Sequence, residues 1–178
     1  MSRYFLAIVP PESTRTSLAE LRPPGGKGIK RVSPEHIHLT LHYLGELSDE
    51  QFDSVISVVK STQFQSFPLS LRGLGTFPHG KPPRVLWTGI DESRQLSDLH
   101  SNLGHRLTEA IGFKPESRRF HPHITLARIK ASANLDFIEA HIQAHQKFSL
   151  PSFEVHQISL FQSRLSESGA MYDVIATN

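Results

Sequence analysis

Apolar positions recur along this chain with two periods, and their alternation outlines the fold. FLAIV, inside residues 4–10, is an unbroken apolar run closed by Pro10 and reads as a strand. PESTRTSLAELR (11–22) starts with proline and keeps Leu18 and Leu21 on one side, a helix that PPGGKG ends. IHLTLHYL (37–44) alternates as a strand. The next segment, 48–62, has Ser48 as N-cap and repeats Phe52, Val55, Ile56 and Val59 at helical spacing. FPLSLRGLGTF (67–77) alternates again as a strand.

The same order then returns. RVLWTGI (84–90) reads as a strand, and 92–112 as a helix with Leu96, Leu99, Leu103, Leu107 and Ile111 on one side. HPHITLARI (121–129) is a strand, ANLDFIEAHIQAH (133–145) a helix and SFEVHQISLF (152–161) a strand. DVIAT (173–177) follows the turn-like SESGA (166–170) and pairs back as a hairpin. Gly45, Gly75 and Gly169 read as turn residues. Strand, helix, strand, helix, strand thus occurs twice, with FPHGKPP (77–83) between the copies. The pattern predicts an α+β fold of two pseudo-symmetric lobes, each a mixed or antiparallel sheet with helices on its outer face. Residues 1–178 form one domain with an internal duplication, divided at about 1–80 and 81–178, and a cleft runs between the lobes.

Within this repeat lies a second one. HIHLTLHYLG starts at His36 and HPHITLARIK at His121, so His-x-Thr-Leu appears twice, each time with another histidine two residues earlier. Alternate residues of a strand share a face. His36, His38, Thr40 and His42 therefore line up in the first copy, and His121, His123 and Thr125 in the second. Ile37, Leu39 and Leu41 fill the opposite face of the first strand, and Ile124 and Leu126 that of the second. If the lobes are related by a pseudo-two-fold axis, two imidazoles and two hydroxyls meet across one cleft. Arg128 faces away on strict alternation, unless the strand ends or bulges there.

Composition narrows the chemistry. The 178 residues carry a formal charge of only +2 and have no cysteine, which excludes disulfides, zinc ribbons and thiol nucleophiles. A pI near 9.0 permits a nucleic-acid partner without demanding one. FLAIV is too short for a signal peptide's apolar core, and no run approaches the roughly 20 residues that cross a bilayer. The expectation is a cytoplasmic protein with no membrane contact.

Two histidines and two threonines in near-mirror positions suit an in-line displacement at phosphorus. A neutral imidazole takes the proton of the attacking hydroxyl, and a protonated one gives a proton to the departing oxygen. An ordinary pKa near 6.5 lets both forms exist at neutrality. Each threonine donates a hydrogen bond to a phosphoryl oxygen. His-x-His on a strand is also a zinc-chelating arrangement, but neither strand offers a carboxylate or thiolate at a matching position, so no metal is expected.

On these motifs the chain resembles the two-histidine phosphoesterases, and within them the bacterial and archaeal RNA 2',3'-cyclic phosphodiesterases, also called LigT-like 2'-5' RNA ligases. The likeness extends over RYFLAIVP, HLTLHYLGE, the GTFP…RVLWTGI segment, FHPHITLAR and ISLFQSRLSESGAMYDVI. It implies that His38 donates and His123 accepts a proton, that Thr40 and Thr125 bind the phosphate, and that no cofactor is used. It implies hydrolysis of a 2',3'-cyclic phosphate at an RNA 3' end to a 2'-phosphomonoester, with reversible 2'-5' ligation at the same site. A monomer is the expected state.

Further candidates surround this core. Arg128, Phe161, His36 and His42 are candidate substrate contacts, and His121 a supporting residue. Trp87, Phe161 and Tyr172 are candidates for base stacking, with Ser163 near the cleft. Lys27, Lys30 and Arg31 are placed to steer RNA. The rival functions are a phosphodiesterase for 2'-5' oligonucleotides or small cyclic nucleotides, a non-catalytic RNA-end-binding protein, and a zinc hydrolase.

Overall fold

A computed structural model describes residues 2–79, 81–166 and 169–178. Nine strands join in one sheet: β1 (Arg3–Ile8), β2 (Ile29–Arg31), β3 (Leu39–Gly45), β4 (Phe67–Phe77), β5 (Val85–Ile90), β6 (His123–Ile129), β7 (Ser149–Val155), β8 (Ser159–Ser166) and β9 (Gly169–Thr177). Among the described residues four α-helices intervene, α1 (Glu12–Glu20), α2 (Asp49–Lys60), α3 (Arg94–Ile111) and α4 (Leu135–Ala144), with a 3-10 turn at Pro34–His36. Spatial order is β7-β4-β5-β6-β3-β1-β8-β9, with β2 against β6. Every named pairing is antiparallel.

Local chemistry explains the helix ends. Ser48 begins α2 with a reciprocal capping box to Gln51. The side chains of Ser93 and Asn134 accept from the backbone of Leu96 and Phe137. Gly112, with φ 67°, ends α3 in the left-handed conformation that glycine adopts at least cost.

The apolar faces of these helices bury against one side of the sheet. Leu18, Val55, Val59, Leu103 and Leu107 form one core with Leu6, Leu39, Ile124 and Leu126. Each such buried leucine stabilises the fold by about 1.5–3 kcal/mol. A smaller cluster packs Ile138 of α4 on Leu86, Ala127 and Ile129.

The expected α+β fold of antiparallel strands covered by helices is observed, and one expectation needs correction. The strands fall into two four-stranded antiparallel halves, β7-β4-β5-β6 and β3-β1-β8-β9, joined where the motif strands β3 and β6 pair through Leu39 and Ile124. Each half takes strands from both sides of residue 80. β4 pairs with β5 and β7, whereas β8 and β9 join β1. The strand expected at 152–161 is instead two strands on opposite sides of the sheet, β7 beside β4 and β8 beside β1. Alternation stops at the exposed His156 and Gln157, so the buried Val155 and Ile158 are three residues apart and no single strand can bury both. At the turn expected over 166–170, residues 167 and 168 lie outside the described residues, and the flanking Ser166 and Gly169 pair.

Candidate active site

Leu39 and Ile124 meet on the core side of the sheet, so their neighbours His38, Thr40, His123 and Thr125 project from the other side. There, Val32, His36, His38, Thr40, His123, Thr125, Arg128 and Tyr172 line one cavity of about 100 Å³. The four residues expected to face one another do so, on adjacent strands.

Both motif strands break alternation at the same place. Ala7 pairs with Thr40 and Leu6 with His42, which leaves Leu41 as an extra residue. Trp87 pairs with Thr125 and Leu86 with Ala127, which leaves Leu126 extra. Each is a β-bulge directly after the threonine. Each bulge reverses the side on which the residues just after it fall. Arg128 therefore turns to the side of Thr125 and lines the cavity, as a bulge requires. His42 swings the other way, a correction to the expected four-residue ladder. It is buried, its ring stacked 4.2 Å from that of His100 and its Nε2 2.8 Å from the His100 carbonyl. Burial pushes the His100 ring down to about 4, with the neighbouring Leu41 backbone opposing that shift. The Leu126 carbonyl accepts from the Val32 backbone N–H at 2.9 Å. Each bulge is thus held by a contact from outside its own ladder.

The earlier histidine of each motif contributes its backbone. Nδ1 of His38 lies 2.7 Å from the His36 carbonyl, and Nδ1 of His123 lies 2.8 Å from that of His121. A carbonyl only accepts, so Nδ1 carries the hydrogen in both rings. Nε2 is left free to exchange a proton, and the ring orientation is set. The His36 ring also lines the cavity, 3.1 Å from the Ser33 hydroxyl through its own Nδ1.

Aromatic rings enclose both histidines. The His38 ring stacks on Phe5 at 4.9 Å and meets the edge of Tyr172 at 5.6 Å. Phe161, only 8% exposed, stacks on Phe5 and sits 6.2 Å from His38. Phe77 and Trp87 lie 5.0 and 6.2 Å from the ring of His123. Trp87 occupies the space over Gly75, where an added Cβ would come within 2.3 Å of the indole. Gly75 is therefore a close-approach residue inside β4 rather than a turn residue, whereas Gly45, φ 74°, does end its strand. Phe5 and Phe77 were not singled out from the sequence. Their strand periodicity marked them as apolar positions, not as neighbours of a histidine.

These surroundings depress both imidazoles. Burial pushes His38 down to about 4, the hydrogen bond to His36 opposes this, and His36, Arg128 and His123 add repulsion. His123 is lowered by burial, against the opposing pull of its own carbonyl partner and with repulsion from His121. In the empty site both are neutral near pH 7. A bound anion beside Arg128 reverses that balance and favours an imidazolium.

A larger cleft of about 620 Å³ adjoins the cavity and shares Thr40 and His123 with it. His79, Phe113, Arg118, Arg119 and His121 are among its other walls. On another side, β2 places Lys30 directly opposite Arg128. Lys27 and Arg31 are exposed in the same segment. Ser163 pairs with Tyr172 but lines neither space. Among the described residues, no group of three or more His, Cys, Asp and Glu side chains is placed to hold a metal ion. Nor, among them, is any helix long and apolar enough to cross a membrane.

The sequence pattern of the 2'-5' RNA ligase superfamily matches residues 10–167. The chain belongs to that superfamily. Relatives within it include an RNA 2',3'-cyclic phosphodiesterase of Aeropyrum pernix, 36% identical over 154 residues, which span 84% of this chain and 85% of that protein. Another RNA 2',3'-cyclic phosphodiesterase, from Methanocaldococcus jannaschii, is 32% identical across 97% of this chain and 98% of its own. Among solved structures, the crystal structure of TT0787 of Thermus thermophilus superposes with a TM-score of 0.80 at 28% identity, covering 98% of this chain and 96% of that one. E. coli LigT complexed with 3'-AMP shares the fold at a TM-score of 0.76 and 24% identity, covering 99% and 97% of the two chains.

Proposed function

We propose that this protein opens the 2',3'-cyclic phosphodiester at the 3' end of RNA and leaves a 2'-phosphomonoester. The observation that carries this reading is the single 100 Å³ cavity bounded by two imidazoles, two threonine hydroxyls and one guanidinium. The relatives named for that activity give independent support.

The chemistry follows from the donor set. Arg128 and the hydroxyls of Thr40 and Thr125 hold the non-bridging phosphoryl oxygens and strengthen their hold as charge grows in the transition state. His123, neutral with Nε2 free, takes the proton of an attacking water. His38, charged once the anion is bound, gives its proton to the departing 3'-oxygen. The two Nδ1 hydrogens stay on the carbonyls of His36 and His121 throughout, so neither ring has to reorient between steps. All groups come from side chains, so the reaction proceeds without a metal.

Matching bulges and matching Nδ1–carbonyl bonds support the internal duplication of one unit. The reading extends to a monomer acting in the cytoplasm. The test is incubation with an oligoribonucleotide ending in a 2',3'-cyclic phosphate, with the product isomer identified. A terminal 2'-phosphate is expected. A 3'-phosphate, or an unchanged end, would overturn the proposal.

A further inference from the structure

Beside the cavity the two motif strands part. Among the described residues β3 and β6 share a single pair, Leu39 with Ile124. Continued along both strands, that register would set His42 opposite His121, but the ladder stops before them. Backbone pairing holds neighbouring strands about 4.8 Å apart, and where it ends side chains must set the separation. Three stacked rings fill this gap. His42 of β3 lies 4.2 Å from His100 of α3 with the ring planes 23° apart, and His100 lies 3.8 Å from Phe120 at 11°. Phe120 directly precedes His121, whose carbonyl is 2.8 Å from Nδ1 of His123. At the other end, His42 follows the Leu41 bulge, directly after Thr40. The column thus runs from beside the hydroxyl of the first motif to beside the imidazole of the second.

The rings are fixed from several directions. Nε2 of His42 donates to the His100 carbonyl at 2.8 Å, and Phe113 stands almost perpendicular to the His42 ring at 5.4 Å. Gly104, one turn after His100 on α3, lets the helix close on His42, since an added Cβ there would sit 3.3 Å from Cε1. Burial lowers both imidazoles, so near pH 7 the column is uncharged and its rings do not repel. All three rings wall the 620 Å³ cleft and none lines the cavity that holds the reacting phosphate.

We infer that the His42–His100–Phe120 column is a spacer that sets the distance between the two motifs, with His100 as its central positioning residue. The inference rests on the phosphodiesterase reading above and adds to it residues that act on the reaction without touching the phosphate. Thr125 and Arg128, both on β6, can hold the anion by themselves. In-line transfer of two protons also needs His38 and Thr40, which arrive on β3, to close on the same phosphorus. An error in strand spacing therefore falls on kcat more than on KM.

The experiment measures kcat and KM for a mononucleoside 2',3'-cyclic phosphate in wild type, His100→Ala, His100→Phe and Phe120→Leu, each below the onset of its thermal unfolding. His100→Ala removes the middle ring and should lower kcat about 10- to 100-fold, the scale of an ångström of misplacement. Its KM should stay within about threefold of wild type. His100→Phe puts a flat ring back between its neighbours and should return kcat to within about threefold of wild type. Phe120→Leu keeps apolar volume without a flat face and should lower kcat about three- to tenfold. Combined with His100→Ala it should add little, because one gap already breaks the column. Wild-type kcat in His100→Ala would overturn the inference, as would a His100→Phe variant no better than His100→Ala. A tenfold rise in KM at unchanged kcat would overturn it too, since the column would then serve binding. If His100→Ala does not fold, Phe120→Leu decides: lowered kcat at steady KM supports the spacer, and wild-type kcat overturns it. A wild type without turnover of this substrate or of an RNA 2',3'-cyclic end would defeat the phosphodiesterase reading itself.

Discussion

Acidification from pH 7 to 4.5 tests whether the protein's interior keeps His38 neutral. Unfolded, the ring titrates near 6.5, and in the empty folded site burial pushes it down to about 4. Between these values the unfolded chain binds a proton that the folded chain refuses, so stability falls as pH falls. The contribution of this ring is fully present above about pH 6.5 and is lost progressively towards pH 4. At pH 4.5 the loss from His38 comes to about 2.5 kcal/mol relative to pH 7. His42, His100 and His123 are lowered by burial too, so they add to the loss in the same direction. Urea unfolding of wild type and His38→Phe at both pH values isolates the first term. Phenylalanine keeps a ring among Phe5, Phe161 and Tyr172 but has nothing to protonate. The hydrogen bond to His36 is missing at both pH values and cancels. Wild type should lose about 2.5 kcal/mol more than the variant on acidification. Inorganic phosphate should reduce that difference, because an anion beside Arg128 favours the imidazolium. Equal losses in the two proteins would refute the claim that burial holds this ring neutral.

Thr40→Val and Thr125→Val should each lower kcat by about 10- to 1000-fold, the range for removing one donor to developing charge. Full turnover by both variants would mean that the phosphate is held elsewhere. Exhaustive EDTA treatment should leave hydrolysis of the cyclic phosphate intact, and a loss that added zinc restores would contradict the side-chain mechanism. Gly75→Ala should cost about 1–3 kcal/mol in thermal unfolding, because the new Cβ meets the Trp87 ring and β4 or the indole must shift. A variant as stable as wild type would show that the close approach is not needed.

The elements were legible because their periods differ. Leu96, Leu99, Leu103 and Leu107 all lie on the buried side of α3, and the His-x-Thr spacing placed His38 with Thr40 and His123 with Thr125, although His36 sits in a 3-10 turn and His121 precedes β6. Period-two counting failed one residue later in both strands. A bulge depends on partners from elsewhere in the chain, the His100 ring at Leu41 and Val32 at Leu126, and sequence spacing records neither. That one added residue buries His42 and brings Arg128 into the cavity. Local spacing did hint at the split of 152–161, since Val155 and Ile158 cannot share one face of a strand. The seam was out of reach for another reason. Only the pairing of Leu39 with Ile124, 85 positions apart, makes one sheet of what reads as two lobes. The His-x-His pattern itself was misleading in emphasis, because at 36 and 121 it is the carbonyl that touches the next imidazole.

Division of labour between His38 and His123 is the central claim, and a leaving group that needs no proton tests it most directly. Turnover of an RNA 2',3'-cyclic phosphate and of a nitrophenyl phosphodiester is measured for wild type, His38→Ala and His123→Ala. On the cyclic phosphate both variants should lose most of the rate, and their losses should not add in the double variant. On the nitrophenyl ester His38→Ala should recover much of its rate, because the departing phenolate requires no acid, while His123→Ala stays impaired. Recovery of His123→Ala instead would reverse the roles. Recovery of neither would contradict acid–base transfer through this pair.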